Sequence, residues 1–406
     1  MKKILALLLA LCMIFALAAC GETAPAETKP AEEPAAEAPA AEEPAAEAPA
    51  EEAPAEEPAA EAADIRVAMI TDYGDITDQS FNQTTYEACK EYCEANGVDF
   101  KYYKPGSDSD DDRITMIENA IEEGFNVVVM PGYAFAPAIA ATAPEYPDVK
   151  FIALDVSDFD LSSAGLDPLP ANLYSAVYQE ELCGYMAGFA AVKLGYKNLG
   201  FLGGMAVPAV IRYGYGFVQG ADAAAAELGL TDVTINYAYG NQFYGDADIT
   251  AAMDTWYAGG TEIVFACGGG IFTSAAEAAA KVNGKVIGVD VDQAPTIDGL
   301  YGEGMTVTSA MKGLAPTVKT MLAAVQAGKF EGGKVETLGL VSENPEENYV
   351  QIPMGSTQFS DSFTAEDYKA LVADMFSGKI TVDNDIAKGA ADFATVITVN
   401  DLGNLK

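Results

Sequence analysis

The residues able to do chemistry in this 406-residue sequence are carboxylates, lysines and a few cysteines, because the chain contains no histidine. Without imidazole there is no Ser-His-Asp or Cys-His nucleophile and no histidine-ligated zinc site. The commonest routes to acyl transfer and metal-assisted hydrolysis are therefore excluded, whereas a mechanism based on carboxylates or lysine stays open. We expect neither a metal nor an organic cofactor.

Several polar or flexible residues stand at the ends of predicted strands. Asp72, Asp155 and Asp290 each end or follow a strand, and Gly268 and Gly269 follow another. Each has an alternative interpretation as a helix cap or a tight turn. Because ligands of parallel α/β sheets bind at the carboxyl ends of the strands, the set together predicts a cleft for a polar ligand.

The sequence that positions these residues alternates short aliphatic or β-branched runs with amphipathic stretches. Strands are predicted at 65–70, 100–103, 127–130, 151–155, 199–202, 233–237, 263–266, 286–290 and 305–309. Helices are predicted at 82–96, 114–123, 182–194, 216–228, 249–258, 274–283 and 314–327. Near-continuous apolar strands joined by helical crossovers are typical of parallel sheets covered on both faces. The pattern therefore predicts an α/β fold of two parallel-sheet lobes with a ligand cleft between them.

The first twenty residues have the pattern of an export signal. A basic start is followed by an apolar run at 4–19 that is too short to span a bilayer. The run ends Leu17-Ala18-Ala19-Cys20-Gly21, which resembles the lipobox of bacterial lipoproteins. That resemblance implies cleavage before Cys20 and a lipid on its thiol, which would anchor the protein at the extracytoplasmic face of the cell membrane. The alternative is a plain secretory signal.

Residues 21–63 differ from the rest of the chain in composition. Ala, Glu and Pro make up 39 of these 43 residues. Frequent prolines prevent a continuous helix and like charges repel, so we expect a disordered, extended tether. The folded domain is then 64–406, with one lobe at about 64–178 and 310–406 and the other at about 179–309.

Charge and cysteine usage restrict the partners. The chain has 61 acidic and 22 basic residues, a formal charge of -39, which disfavours binding to nucleic acid. Four cysteines lie outside the signal segment, and the sequence predicts buried free thiols for all of them: Cys89, Cys93, Cys183 and Cys267.

Motifs of the folded part resemble those of a known family. They are Thr71-Asp72 through Ser80-Phe81-Asn82, Pro131-Gly132-Tyr133-Ala134-Phe135, Phe201-Leu202-Gly203-Gly204-Met205, Ile263-Val264-Phe265-Ala266 with the glycines that follow, and Ile287-Gly288-Val289-Asp290-Val291-Asp292-Gln293. In this order, from about 65 to 312, they resemble the basic membrane protein family of solute-binding lipoproteins. The resemblance implies a type I periplasmic-binding fold that closes around its ligand. Characterised members of that family are purine-nucleoside receptors that supply ABC importers.

The resemblance also implies which residues hold the base of a nucleoside. Phe81 and Phe243 would form the two faces of an aromatic sandwich, which suits the π-face of any base. Asp72, Asn82 and Asp155 would contact the polar edges of the base, where an unmatched buried donor or acceptor is costly.

The remaining residues implied by the resemblance would hold the ribose. Asp290 and Lys312 would contact it together with the backbone of Gly268 and Gly269. A carboxylate accepts hydrogen bonds from vicinal hydroxyls, and Lys312 would keep Asp290 ionised inside a closed cleft.

The leading hypothesis is a receptor without enzymatic activity that captures a nucleoside, by resemblance a purine nucleoside. Its expected partners are an ABC permease with its ATPase and the membrane through lipidated Cys20, and we expect a monomer. One alternative is a sugar receptor of the same fold. Another is an exported hydrolase that uses Asp72 with Asp155 or Asp290 as acid and nucleophile. A third is a sensor without a transport role.

Overall fold

The computed structural model describes residues 63–406. The predicted signal peptide, Cys20 and the tether up to residue 62 lie outside the described residues. Within 63–406, no helix has the length and apolar character needed to cross a membrane.

Thirteen strands form two sheets in the part of the chain that the structure describes. They are β1 (Arg66–Ile70), β2 (Asp99–Tyr103), β3 (Val127–Pro131), β4 (Lys150–Leu154), β5 (Leu173–Tyr178), β6 (Asn198–Gly203), β7 (Thr234–Tyr239), β8 (Ile263–Cys267), β9 (Lys285–Asp290), β10 (Thr306–Lys312), β11 (Lys334–Leu338), β12 (Val350–Gln351) and β13 (Thr398–Asn404).

Eleven α-helices connect these strands within 63–406. They are α1 (Phe81–Asn96), α2 (Asp110–Glu122), α3 (Ala136–Thr142), α4 (Asp158–Ser163), α5 (Glu180–Lys193), α6 (Pro208–Leu228), α7 (Ala247–Ala258), α8 (Phe272–Val282), α9 (Ala294–Tyr301), α10 (Leu314–Gln326) and α11 (Ala365–Phe376). Short 3-10 helices occur at Tyr133–Phe135, Pro345–Glu347 and Ala390–Phe393.

Each sheet defines one lobe. The first lobe has the strand order β11-β5-β4-β3-β1-β2, and all its neighbours are parallel. The second has the order β12-β10-β9-β8-β6-β7-β13, in which only β12 is antiparallel to its neighbour. The order reverses between β1 and β3 in one sheet and between β6 and β8 in the other, and ligands bind at such points in α/β folds.

Helices α5 and α6 pack against each other unusually closely because glycines line their contact. A Cβ atom added at Gly184 or Gly188 would lie 2.2 or 2.1 Å from a carbonyl oxygen of α6, and one at Gly216 would lie 2.0 Å from a carbonyl oxygen of α5. Most of α5 is buried as a result. The contact fixes the first turns of both helices, which stand beside the cleft.

The predicted alternation of strands and helices is confirmed, and the predicted strands lie within one to three residues of observed ones. The four cysteines named above are buried free thiols, as predicted. Strand β5 and helices α3, α4 and α9 were not predicted, and α6 begins at Pro208 rather than at residue 216.

The C-terminal part of the chain belongs to both lobes, which differs from the predicted placement of 310–406 in the first lobe. Only α10 and β11 lie with the first sheet, whereas the end of β10 and strands β12 and β13 pair in the second. The carboxylate of Asp222 on α6 fixes this segment, because it accepts backbone hydrogen bonds from Thr395 and Val396 at 2.8 Å.

Candidate functional site

A cavity of about 750 Å³ lies between the carboxyl ends of the two sheets. Loops after β1, β3 and β4 of the first lobe and after β6, β7 and β8 of the second line it. The structure brings together every residue for which the sequence predicted ligand contact: Asp72, Phe81, Asn82, Asp155, Phe243, Gly268, Gly269, Asp290 and Lys312.

Both lobes contribute aromatic rings to the cavity, among them the partly buried Phe81 and Phe243. Phe81 begins α1 of the first lobe, and Phe243 lies in the loop between β7 and α7 of the second. A Cβ atom at Gly204 would lie 2.4 Å from the ring of Phe243, so this glycine leaves space for the ring. The Lys312 ammonium lies 4.5 Å from the centroid of the Phe81 ring, a favourable cation–π distance.

The loop after β1 holds a carboxylate and an amide at one end of the cavity. Asp72 accepts hydrogen bonds from the backbone of Tyr73 and Gly74, both at 2.6 Å. Burial raises the pKa of Asp72, although these backbone hydrogen bonds oppose the shift. The amide nitrogen of Asn82 donates to Asp78 at 3.1 Å, which directs the amide oxygen the other way. That oxygen is buried and accepts no hydrogen bond from the described residues.

Lys312, at the end of β10, stands among three carboxylates. Its ammonium lies 2.5 Å from Asp155, 3.6 Å from Asp290 and 3.7 Å from Glu180. Burial lowers the pKa of Lys312, but the three carboxylates outweigh it and hold the pKa above its ordinary value. The lysine is therefore charged throughout the physiological range and joins Asp155 of the first lobe to Asp290 of the second.

The family resemblance implies that Asp155 contacts the base. The structure instead places Asp155 beside Lys312 and Asp290, the residues that the resemblance implies for the ribose. Burial raises the pKa of Asp155 to about 6, and Lys312 only partly offsets that effect. One oxygen of its carboxylate accepts from Lys312, while the other is buried without a partner among the described residues.

The backbone at both strand ends has a conformation that is rare outside glycine. Asp155 has φ 61° and Asp290 has φ 64°, in the left-handed region. Aspartate tolerates this region better than most residues, yet two such residues facing one cavity mark a functional site rather than chance. The conformation turns both carboxylates toward Lys312.

The sequence did not reveal a second layer of charge behind Lys312. Arg212 on α6 lies 2.7 Å from Glu180 and 4.0 Å from Glu181, the first residues of α5. Both glutamates are buried, and burial raises the pKa of Glu181 to about 7. The available signal was the pair of adjacent glutamates at the start of an otherwise apolar helix.

Further lining residues were also not predicted. Tyr73 and Tyr133 line the cavity beside Asp72, and Phe159 and Ile386 contribute exposed apolar side chains. Ile386 comes from the C-terminal segment, for which the sequence indicated no role.

The fold is that of ABC-transporter solute-binding proteins. A solute-binding protein from Conexibacter woesei is similar with a TM-score of 0.61 and 24% identity, covering 79% of this chain and 99% of its own. One from Aeropyrum pernix has a TM-score of 0.61 and 20% identity, covering 81% and 90%. Together with the two sheets and the cleft between them, these likenesses confirm the predicted type I periplasmic-binding fold.

Residues 65–383 match the family described as ABC transporter substrate-binding protein, PnrA-like, and the chain belongs to this family. The ABC transporter nucleoside-binding protein BmpA of Lactococcus lactis is 27% identical over 340 residues, 79% of this chain and 89% of the relative. Basic membrane protein A of Borreliella burgdorferi is 26% identical over 282 residues, 68% and 76%. The predicted family is confirmed. The chain is thus an extracytoplasmic substrate-binding protein of an ABC transporter, a class that binds its ligand rather than converting it.

Proposed function

We propose that this protein captures a nucleoside in the cleft and delivers it to the permease and ATPase of an ABC importer. The observation that carries the proposal is the cavity itself, which combines Phe81 of the first lobe and Phe243 of the second with a charged cluster at the ends of β9 and β10. A nucleoside has a flat base, which can stack on the aromatic rings, and a sugar, whose hydroxyls can bind the charged cluster. The relative from Lactococcus lactis is named as a nucleoside-binding protein.

The base would lie between Phe81 and Phe243, where stacking contributes on the order of 1 to 3 kcal/mol. The free amide oxygen of Asn82 would accept a hydrogen bond from an N–H group of the base. Purine and pyrimidine bases both carry an N–H donor on an edge, so this contact supports a nucleobase of either kind, and the preference for a purine rests on the family resemblance.

The ribose would lie against the Lys312 cluster. Its hydroxyl groups would donate to the free oxygen of Asp155 and to Asp290, while Lys312 donates to a sugar oxygen. Gly268 and Gly269 follow β8 with φ 157° and 52°, so the backbone there approaches the cavity without side chains. These contacts fix the orientation of the sugar, whereas stacking alone would not.

Anchoring by lipid at Cys20 and spacing by residues 21–63 complete the proposal. A short lipidated tether would keep the binding domain beside the permease and raise its local concentration. Growth with radiolabelled palmitate tests the anchor. We expect label in the wild-type protein and none in Cys20→Ser, and equal labelling of both would disprove it.

The ligand is tested by competition. Protein stripped by unfolding and refolding is mixed with equimolar nucleosides, nucleobases, ribose and glucose, desalted and denatured, and the released molecules are identified by mass spectrometry. We expect one nucleoside, intact and near one equivalent. Release of ribose or glucose would support the sugar receptor instead, since the Lys312 cluster also suits a bare sugar. Conversion of a nucleoside into free base would show a hydrolase.

A further inference from the structure

Besides the Lys312–Asp155 contact and a hydrogen bond from Tyr73 to Met205, two direct hydrogen bonds join the loop before α1 to the end of β9 and the turn after it. Ser80 Oγ donates to Asp290 Oδ2 at 2.5 Å, and Gln293 Nε2 donates to the carbonyl oxygen of Gln79 at 3.0 Å. Ser80 and Gln79 belong to the loop before α1 of the first lobe, while Asp290 ends β9 of the second and Gln293 lies in the turn that follows. Both bonds are made by the protein alone and need no ligand atom.

The hydroxyl of Ser80 is available for this contact because another residue caps α1. Ser80 occupies the N-cap position but makes no capping hydrogen bond with its side chain. Asp78 instead accepts from the backbone of Ser80 and Gln83 at 3.0 Å and of Asn82 at 2.9 Å. A serine at this position normally caps its own helix, so its use between lobes is a specific feature of this loop.

Gln293 is oriented for the second contact by its own lobe. Its side-chain oxygen accepts from the backbone of Val289 at 2.9 Å, and its backbone N–H donates to Ser309 at 3.1 Å. Because the amide oxygen is occupied, the amide nitrogen must point the other way, toward Gln79. The backbone of Gln79 has φ 57°, a left-handed conformation that is rare for glutamine.

Both hydrogen bonds are shielded from water, which strengthens them. Ser80 is 0%, Gln293 1% and Asp290 6% exposed. The Ser80 bond is charge-assisted, and bonds to charged groups contribute more to stability than neutral ones. Ser80 and Gln293 are not among the described residues that line the cavity, so neither is placed to contact a ligand there.

We propose that the Ser80–Asp290 and Gln293–Gln79 bonds form a latch that stabilises the closed arrangement of the two lobes through contacts made by the lobes themselves. Ser80 and Gln293 are then positioning residues that act through the closure equilibrium. Since apparent affinity scales with the fraction of protein in the binding-competent form, the latch sets how tightly any ligand is held. The inference does not depend on the identity of the ligand.

The test measures closure without ligand. Spin labels are attached at Glu122→Cys on α2 and Ala251→Cys on α7, which are exposed positions in different lobes. The full-length chain also carries Cys12→Ser and Cys20→Ser, and the cysteines of the described residues are buried. The distance between the labels is measured by pulsed electron paramagnetic resonance on protein stripped of ligand.

The variants remove one latch bond each and have matched controls. Ser80→Ala removes the hydroxyl, and Gln293→Glu keeps the acceptor oxygen but loses the Nε2 donor. Ser175→Ala is the control for the first, because its buried hydroxyl donates to Val156 within one lobe at 2.6 Å. Gln358→Glu is the control for the second, because its amide donates to Gly304 and Thr306 within the other lobe.

We expect a closed population in the starting protein and a shift toward longer distances in both latch variants, with the closed-to-open ratio falling roughly tenfold for each. The two controls should keep the starting distribution. Identical distributions in the starting protein and both latch variants would overturn the proposal. So would an equal shift in the controls, because it would show general destabilisation. The distances are measured without nucleoside. A negative result would therefore disprove the latch without bearing on the proposed nucleoside binding.

Discussion

Phe81 and Phe243 reach the cavity from different lobes, and both side chains are only partly buried. Replacing both by alanine should weaken nucleoside binding roughly a hundredfold or more, taking the lower to middle estimate for stacking on each ring. Calorimetric titration measures the dissociation constants. Phe376→Ala is the control, because Phe376 is 44% exposed on α11 and is not among the residues lining the cavity. Unchanged affinity in the double variant would exclude a stacked base.

The protonation state of Asp155 should make nucleoside binding depend on pH. Its pKa is raised to about 6 by burial, so the carboxylate is ionised at pH 7.5 and largely protonated at pH 5. If sugar hydroxyls donate to the ionised form, affinity is constant above the pKa and falls below it, by up to about tenfold per pH unit. Titrations between pH 5 and 8 measure this dependence.

Two variants identify the group responsible. Asp155→Asn should bind more weakly than the starting protein above about pH 6 and show no change of affinity near that pH, because asparagine does not titrate in this range. Glu181→Gln should still show the fall in affinity below about pH 6, although the pKa of Glu181 is itself raised to about 7. If only Glu181→Gln abolished the pH dependence of affinity, Glu181 rather than Asp155 would be the titrating group.

Sequence reasoning identified the residues of the cavity that follow strands or belong to family motifs, and it missed those that depend on packing. Asp72 and Asp290 stand at strand ends, where topology alone predicts a site. Arg212 and Glu180 meet only because α5 and α6 pack closely, and no local pattern encodes that contact. The pairing of Asp155 with Lys312 depends on how the lobes face each other, so the sequence could not distinguish base from ribose contact for Asp155.

At the scale of elements, the α5–α6 contact positions Glu180 and Arg212. Gly188→Ala should lower the free energy of unfolding by about 1 to 3 kcal/mol, because its new Cβ would lie 2.1 Å from the carbonyl oxygen of Phe217, which cannot rotate away. Chemical denaturation measures the change.

Gly299→Ala is the matched control. It also replaces a glycine inside a helix, α9, but no atom lies within 4 Å of the new Cβ. We expect a neutral effect or a gain of up to about 1 kcal/mol from helix propensity. A loss in Gly299→Ala as large as in Gly188→Ala would show that close helix packing is not the cause.

The elements that were predicted correctly have strong local signals, and the missed ones do not. Strands such as β3 and β8 are continuous apolar runs, so their existence follows from composition. Ser175 interrupts the apolar residues of β5, and the first turns of α6 contain Pro208 and Gly214, which weaken the helical pattern. Strand β13 is almost wholly exposed, and only its distant pairing with β7 defines it.

At the scale of the whole molecule, negative charge should select uncharged ligands. The chain has a formal charge of -39, and six carboxylates but only three cationic side chains line the cavity. These carboxylates would repel a phosphate group, and the three cationic side chains are already paired with carboxylates. We expect nucleoside monophosphates to bind at least about tenfold more weakly than their nucleosides, with a smaller difference in high salt.

Paired titrations of adenosine with AMP and of inosine with IMP, in low and high salt, measure this selectivity. Equal or tighter binding of the monophosphates would show that Arg212 or Lys104 is free to hold a phosphate. We attribute this selectivity to the charge of the whole cleft, because no single family motif supplies it.

The central claim is that the two lobes close around a nucleoside through both its base and its sugar. The most direct measurement is calorimetric titration of the stripped protein with adenosine, guanosine, inosine, uridine and ribose. We predict one-to-one binding of at least one purine nucleoside, at least about a hundredfold tighter than ribose. Ribose binding as tight as that of every nucleoside, or heat from none of the nucleosides, would contradict the claim.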